Sequence, residues 1–504
     1  MGIDLINIIF GMKVRQARLE AGLTLSDLAR QCELSPSYLT EIEKGRKYPR
    51  ADKIVKMAAA LGKEYDDLVS IKLASSLRYL ESALASSTVR RFPFEEFGLE
   101  PADALGLLTR EPDRASALLH AIIEISRRYD LKEDEFLRAA LRSYQEIHEN
   151  YFPDLEDAAE TFMAEFGPRY GFDDAPLIPL ATLASILRQE YGYTIDDKTL
   201  ATSEELRNYR SVLQPGRRPQ LFINDRLYAR QVRFILAREI GYCYLGLKER
   251  SLTSTTEEIY SFQQLLNDAR AAYFGGVVLM PRARVLADLE DFFALPAWDP
   301  EPFSAMLTTY DVTPEMLLYR FSELIPQFFG FKLHFLRFHH AAGTDEYQLV
   351  RHLNMNQLLV PSGIGLFEHH CRRWLSIRLL PKPSAGRQAS SSPLPVGVQI
   401  SEFLETQEKF LCLGFGRQMV LSPGLSSSVI IGFRIDADLR KTIRFLDDPD
   451  IPHTIIHETC ERCPLTPDQC DVRAAPPTIL HARREKLARK MALNQLNTRS
   501  TTGD

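Results

Sequence analysis

Between residues 12 and 70, helix start and stop signals follow one another so closely that only a small all-helical module can satisfy them. Ala21-Gly22 ends a first helix, Met12–Glu20. Thr24, with Asp27 three residues on, forms a capping pair for a second helix, Leu25–Gln31. Ser35-Pro36, a capping hydroxyl followed by proline at the first helical position, opens a third that stops at Gly45. A fourth runs from about Ala51 to Leu61 and is closed by Gly62; a short fifth covers Tyr65–Val69.

Leu25, Leu28, Ala29, Leu34, Leu39 and Ile42 supply the apolar faces that pack the second of these helices on the third. That leaves Ser37, Tyr38, Thr40, Glu41 and Lys44 on the outward side of the third helix, just after its cap Ser35. In a helix-turn-helix, the second helix of the pair lies in the major groove with its N-terminal residues at base edges. The chain as a whole carries a net charge of −6, so bulk attraction to a polyanion is excluded. Locally the balance reverses: Lys44, Arg46, Lys47, Arg50, Lys53 and Lys56 face one anion, Asp52, giving +5 over thirteen residues. Such a patch directly after the reading helix suits phosphate neutralisation, and double-stranded DNA is the expected partner. One module covers a half-site, so a homodimer on a two-fold operator is expected.

A length of 504 residues argues for two to four domains, and 45% apolar with 25% charged residues is ordinary globular composition. There is no apolar run near the ~20 residues that span a bilayer. Met1–Phe10 lacks a basic start and a small-residue cleavage site, so a cytoplasmic location is expected. The expected fold is multidomain, mainly α with an α+β C-terminal part. Residues 10–70 form the helical reader, and 71–165 a helical linker or dimerisation region. Residues 166–285 mix short strands such as Gln220–Ile223 with helices Ala229–Leu247 and about Thr256–Tyr273. Residues 290–490 form a sheet-containing sensor domain, with strands at Lys332–Phe338, Tyr347–Leu353, Phe410–Phe415 and Ser428–Ile435. Pro381–Pro395 reads as a loop, and 491–504 as a flexible tail.

Seven cysteines are too few for a disulfide scaffold, yet three fall within eleven residues: Cys460-Glu-Arg-Cys463-Pro, then Cys470. A C-x2-C turn brings two thiolates to one metal, and a third can close on the same centre. A fourth ligand must come from elsewhere, and Cys371, in His369-His370-Cys371-Arg372-Arg373-Trp374, is the best candidate. Thiolate ligands fit tetrahedral zinc or an iron–sulfur cluster; free thiols with no metal are the plain alternative.

These motifs carry three resemblances. TLSDLARQCELSPSYLTEIEKGRKYPRADKIVKMAAALG resembles the Cro/CI-type (XRE) helix-turn-helix family, which implies that Thr24 touches phosphate and the third helix reads bases. The stretch Phe234–Leu245 resembles the zinc helix of ImmA/IrrE-like metallopeptidases, whose H-E-x-x-H holds the metal. Here Arg238 and Tyr242 stand at the histidine positions, Glu239 and Gly241 remain, and Arg270 stands where a third, acidic ligand aligns, with Asp268 nearby. Arginine has no lone pair to give and tyrosine is a poor ligand near neutrality, so the zinc ligands are missing and no enzyme is expected. The rival reading is a zinc-dependent peptidase that cleaves a repressor protein. Across residues 10–480 the chain resembles the short-chain fatty-acyl transcriptional regulators, by Asn150–Glu160, Cys371-Arg-Arg-Trp374 and Cys460–Pro477. That resemblance implies an acyl-CoA effector and a [4Fe–4S] cluster, with structural zinc as the alternative. Arg372, Arg373 and Arg378 are candidates to meet the effector's phosphates, and His369 and His370 to ligate. The spacing from Cys463 to Cys470 is longer than the family pattern.

Overall fold

The computed structural model describes residues 5–70, 96, 133–173, 175–254, 259–356, 358, 368–381 and 394–500. The chain divides into two compact units, Met1–Tyr144 with Glu258–Leu265, and Gln145–Glu257 with Leu266–Asp504.

Residues 5–70 of the first unit form five helices: α1 (Leu5–Glu20), α2 (Leu25–Gln31), α3 (Pro36–Glu43), α4 (Ala51–Leu61) and α5 (Tyr65–Val69). All five end within two residues of their expected ends, and four also start where expected. The first starts at Leu5 rather than Met12, because Phe10, Val14 and Ala17 continue one apolar stripe into the core made by Leu28, Leu39, Ile42 and Met57. Of the expected linker 71–165, residues 71–95 and 97–132 lie outside the described residues. The rest is helical, as α6 (Glu133–Ile147) and α7 (Pro153–Tyr170).

In the second unit α7 and α8 (Leu180–Tyr191) pack with α10 (Ala229–Tyr244) and α11 (Phe262–Leu279) around Phe162, Leu183, Leu236 and Phe274. A three-stranded sheet of order β1-β3-β2 joins them: β1 (Thr194–Asp196), followed by the one-turn α9 (Thr199–Thr202), then β2 (Ser211–Gln214) and β3 (Gln220–Ile223). Strand β1 runs parallel to β3, and β2 antiparallel. Helix α11 continues past its expected end at Tyr273, through the pair Gly275-Gly276. A Cβ at Gly275 would stand 3.0 Å from the Arg238 backbone nitrogen, so that glycine serves a close helix crossing rather than a stop.

Helices α12 (Arg282–Phe293), α13 (Pro300–Thr309) and α14 (Pro314–Phe329) cover one face of a six-stranded sheet. Its strands are β4 (Leu333–Ala341), β5 (Tyr347–Asn354), β6 (Val396–Phe403), β7 (Lys409–Gln418), β8 (Leu425–Arg434) and β9 (His453–Ile456), ordered β5-β4-β8-β7-β6-β9. All pairs are antiparallel except β6 with β9. The opposite face is covered by α15 (Leu375–Arg378) with Cys371 and Trp374, so β7 and β8 are buried on both sides along most of their length. A short helix α16 (Ala437–Thr442) leads towards β9. The boundary expected at 285–290 falls inside α12, whose Val285 and Leu289 belong to the same core as the sheet. The expected tail is also corrected: residues 491–500 continue α17 (Thr478–Ser500), and only 501–504 lie outside the described residues.

Candidate nucleic-acid interface and thiol cluster

Helix α3 is set by its cap. Ser35 Oγ accepts from the Tyr38 N–H at 3.2 Å and Pro36 holds the first helical position, which leaves Ser37 exposed and Tyr38, Thr40, Glu41 and Lys44 half-exposed, while Leu39 and Ile42 are buried. The turn before it passes through Glu33 at φ 53°, the left-handed region. Thr24 is exposed, but its hydroxyl is turned into the capping box of α2: Oγ1 accepts from the Asp27 N–H at 3.1 Å, and the Thr24 N–H donates to Asp27 at 3.3 Å.

The orientation of α3 is locked from behind. Arg18 of α1 donates to both carboxylate oxygens of Glu43, at 2.6 and 2.9 Å, and to the Leu23 carbonyl at 3.0 Å. The two charged side chains are only 10% and 7% exposed. Alongside, Gly11 lets the backbones touch: a Cβ there would stand 2.3 Å from the Ile42 carbonyl oxygen. The basic run is less cationic in space than along the sequence. Arg46 pairs with Glu41 at 3.3 Å and Lys56 with Glu33, two carboxylates that lie before the counted window. Lys47 sits over the Tyr38 ring at 5.6 Å, and Arg50 is exposed at the start of α4 with no capping bond from its side chain.

In the second unit, the helix that resembles a zinc-peptidase helix holds an ion pair. Glu239 accepts from Arg250 Nη2 at 2.6 Å and is 1% exposed, and Tyr193 Oη lies 3.4 Å away. The Arg250 guanidinium stacks over the Tyr242 ring at 3.6 Å. Tyr242 Oη donates to Asp268 at 2.7 Å, and burial pushes the phenol's pKa up, further from ligand chemistry. Asp268, rather than the aligned Arg270, therefore faces this site. The cation paired with Glu239 is Arg250, and Arg238 also lies over the Tyr242 ring, at 5.9 Å.

The three cysteines grouped by spacing and Cys371, the candidate fourth ligand, lie in one buried neighbourhood. The segment around Cys371 is stitched to the Cys460 turn by backbone bonds: Cys371 N–H to the Glu458 carbonyl at 3.2 Å, Cys460 N–H to the His369 carbonyl at 2.9 Å, and a bridge between His370 and Thr459. Trp374 Nε1 donates to the His457 carbonyl at 2.8 Å, anchoring the same segment. Within the turn Cys463 N–H reaches the Cys460 carbonyl at 3.3 Å, and Cys460 Sγ accepts from the Ala474 N–H at 3.4 Å. Burial, and then the nearness of Cys460 and Cys463, pushes the Cys371 thiol up to about 11 and moves Cys470 in the same direction. As the side chains stand, no three of His, Cys, Asp or Glu among the described residues converge tightly enough for a single metal ion. His369 is committed to Glu461 (Nδ1 to Oε1, 2.7 Å), and the His370 ring packs edge-on to Phe338. Beside this cluster, Arg372, Arg373 and Arg378 line one groove of ≈ 700 Å³ together with Arg473.

Comparison with known proteins matches two segments of the chain. Residues 14–68 match the helix-turn-helix family, and residues 194–322 match the IrrE N-terminal-like domain. Control protein C.BamHI of Bacillus amyloliquefaciens is 38% identical over 65 residues, which are 13% of this chain and 80% of that protein. Through residues 14–68 the chain belongs to the helix-turn-helix family. A solved structure of a Mycobacterium tuberculosis transcriptional regulator aligns over 66% of this chain and 92% of its own, at 18% identity and a TM-score of 0.45.

The helix-turn-helix module is thus a DNA-binding element, and no described helix is long and apolar enough to cross a membrane. Two features of these sites were missed by sequence reasoning, the Arg18–Glu43 lock and the Arg250 plug. Both pair residues from different elements, and neither leaves a periodicity or spacing to follow.

Proposed function

We propose that this chain is a transcriptional regulator that binds a two-fold operator on double-stranded DNA as a homodimer, and that it controls genes of short-chain fatty acid and acyl-CoA metabolism from the cytoplasm. The observation that carries the reading is the capped, outward start of α3 (Ser35, Ser37, Tyr38) on a module pinned by Arg18–Glu43 and flanked by exposed Arg46, Lys47 and Arg50. Ser37, Tyr38, Thr40, Glu41 and Lys44 would face base edges; Arg46, Lys47 and Arg50 would meet phosphates. Thr24 would mark a phosphate at the α2 N-terminus, where the backbone amides do the binding because its hydroxyl serves the cap.

The second unit is the sensor. Cys371, Cys460, Cys463 and Cys470 are a donor set suited to a [4Fe–4S] cluster. A single zinc needs its sulfurs about 3.8 Å apart, from Zn–S bonds of ~2.3 Å in a tetrahedron. A [4Fe–4S] cluster spreads its four thiolates over separate irons, and structural zinc on the same four sulfurs is the alternative. When bound, the cluster supplies a one-electron, oxygen-sensitive centre. The chain's part is to hold the Cys371 segment against the Cys460 turn, through the bonds from Cys371 to Glu458 and from Cys460 to His369. The groove at Arg372, Arg373, Arg378 and Arg473 suits the phosphates of an acyl-CoA effector. A regulator switches only if effector and cluster differ in affinity for its DNA-competent and incompetent states.

Peptidase activity is disfavoured because Arg250 supplies, from within the chain, the positive charge that zinc would bring to Glu239. Incubation with zinc and a candidate repressor tests this: cleavage that disappears in Glu239→Gln restores the rival. The main experiment is selection of genomic fragments by anaerobically purified full-length protein, with and without short-chain acyl-CoA. Paired half-sites near acyl-CoA genes are expected; no fragment preferred over bulk duplex refutes the reading. Cys463→Ser should lose most of the iron and its brown colour, and full retention rejects the ligand set.

A further inference from the structure

A second cavity, of ≈ 170 Å³, lies in the second unit between α10, α11 and α14 and the sheet strands β4 and β7, apart from the groove at Arg372. Part of its lining is cationic. Glu315 of α14 accepts from Arg417 Nε at 2.8 and 3.0 Å, and Arg337 Nη2 stands 3.7 Å from the same carboxylate. Arg210 lines the same cavity, and among the described residues no side-chain hydrogen bond or ion pair engages its guanidinium. Two guanidiniums thus share one carboxylate, and a third, Arg210, has none.

No hidden counter-charge balances them. Arg320, also in the lining, is already matched by Glu156 at 2.6 Å and Glu323 at 2.9 Å. Both carboxylates are thereby engaged by Arg320, although burial pushes the Glu323 carboxyl up from its ordinary range. His339, next to Arg337 in β4, is held neutral by burial and by Arg337, and its buried Nε2 has no partner. The excess is felt: burial, then the neighbouring Arg210 and Arg417, draws Arg337 down to about 10 despite Glu315. Clustered cations in a low-dielectric site repel one another unless an anion joins them. The cavity is also lined by the apolar side chains of Phe234, Ile235, Ala272, Met280 and Met316.

We propose that this cavity binds a small carboxylate, its carboxyl group on Arg210 and Arg337 and its short hydrocarbon tail against Phe234, Ile235 and Met316. Guanidinium forks match a carboxylate with two parallel hydrogen bonds. The volume is close to that of the engineered ~150 Å³ cavity that admits benzene, so an occupant of roughly six non-hydrogen atoms fits and a coenzyme does not. Inorganic phosphate would satisfy the arginines but leave the apolar lining uncovered. The occupant would bridge helices within the segment that matches the IrrE N-terminal-like domain to the sheet outside it, which places it where it can bias the second unit. The site does not depend on the DNA reading, because its test is binding alone.

The probe is butyrate, titrated into full-length protein at pH 7.5 and constant ionic strength, with sodium chloride and inorganic phosphate in parallel arms. Calorimetry and the melting temperature are both read. Saturable butyrate binding with a rise in melting temperature is expected, with no saturable response to chloride or phosphate. Arg210→Gln should weaken butyrate at least tenfold while melting normally without ligand, since Arg210 holds no protein partner. Ala272→Leu, which crowds the apolar lining, should weaken butyrate more than acetate. Absence of saturable butyrate binding, or equal affinity in Arg210→Gln, overturns the proposal; a phosphate response stronger than that of butyrate overturns the assignment of a carboxylate.

Discussion

The Arg18–Glu43 pair gives a sharp test of what holds the reading helix in place. Replacing Arg18 by Met keeps the aliphatic stem but leaves the Glu43 carboxylate, 7% exposed, without its two hydrogen bonds, and frees the Leu23 carbonyl that ends the α1 turn. Breaking a buried ion pair by removing one partner costs about 3–5 kcal/mol. Slight exposure of both groups places this one near 3. A module of this size, residues 14–68, has roughly 3–8 kcal/mol of stability in total, so Arg18→Met brings it close to unfolding. Hydrogen exchange of full-length protein, read on peptides from the module, is the assay: 3 kcal/mol corresponds to exchange faster by about 150-fold at amides that open with the whole module. DNA affinity should fall in step, because the unfolded fraction does not bind. The double variant Arg18→Met with Glu43→Leu removes both charges and should recover most of the loss, since apolar replacement of a buried pair is often neutral. Exchange changed by less than fivefold in Arg18→Met, or a double variant no better than the single one, would refute the reasoning.

Three further outcomes follow from other parts of the chain. Arg250→Met strands Glu239 in the core and should destabilise the second unit by about 3 kcal/mol in calorimetry, with Glu239→Gln added to it restoring part of the loss. Burial depresses His334 to about 4, so its stabilising share is complete above pH 6.5 and is lost as pH falls through about 4. The share of His334 is about 3 kcal/mol, read from urea midpoints between pH 7 and 4, and His334→Gln should flatten that part of the slope, leaving the shares of His339 and His370, which titrate in the same window. Glu33 occupies a left-handed turn, and Glu33→Gly should raise the module's stability by about 0.5 kcal/mol. The relief of roughly 1 kcal/mol is partly offset by loss of the exposed Lys56 pair, and protection from exchange is the readout.

The fold was legible wherever the signal is local. Caps at Thr24 and Ser35 and the glycines at 22 and 62 placed α2 to α5 almost to the residue, because a helix terminus is decided by groups within one turn of it. The strands Tyr347–Asn354 and Gln220–Ile223 followed from β-rich runs in the same way. Domain boundaries were less legible. Nothing in residues 280–293 distinguishes an apolar helix that packs on the small sheet from one that packs on the large sheet, and α12 joins the latter. A glycine pair reads as a stop unless the neighbouring backbone is known, which is why α11 overran its expected end.

Charge is where reading along the chain fails most consistently, and the failures share one cause. A window counts ions by position, whereas burial and pairing act through space. The +5 run after α3 draws in Glu41 and Glu33 from outside the window, Arg18 finds Glu43 across two helices, and Arg250 finds Glu239 from beyond the end of α10. In each of these cases the cation has its carboxylate, as buried or half-buried charges require. Arg210 breaks the pattern, in a cavity where Arg337 and Arg417 already share the one available acid. A cation left without a carboxylate beside two others gives reason to look for the missing anion in solution rather than in the sequence, and the contrast between Arg18→Met and Arg210→Gln decides it. Removing a cation that serves a protein carboxylate should cost folding; removing one that serves a ligand should cost only binding.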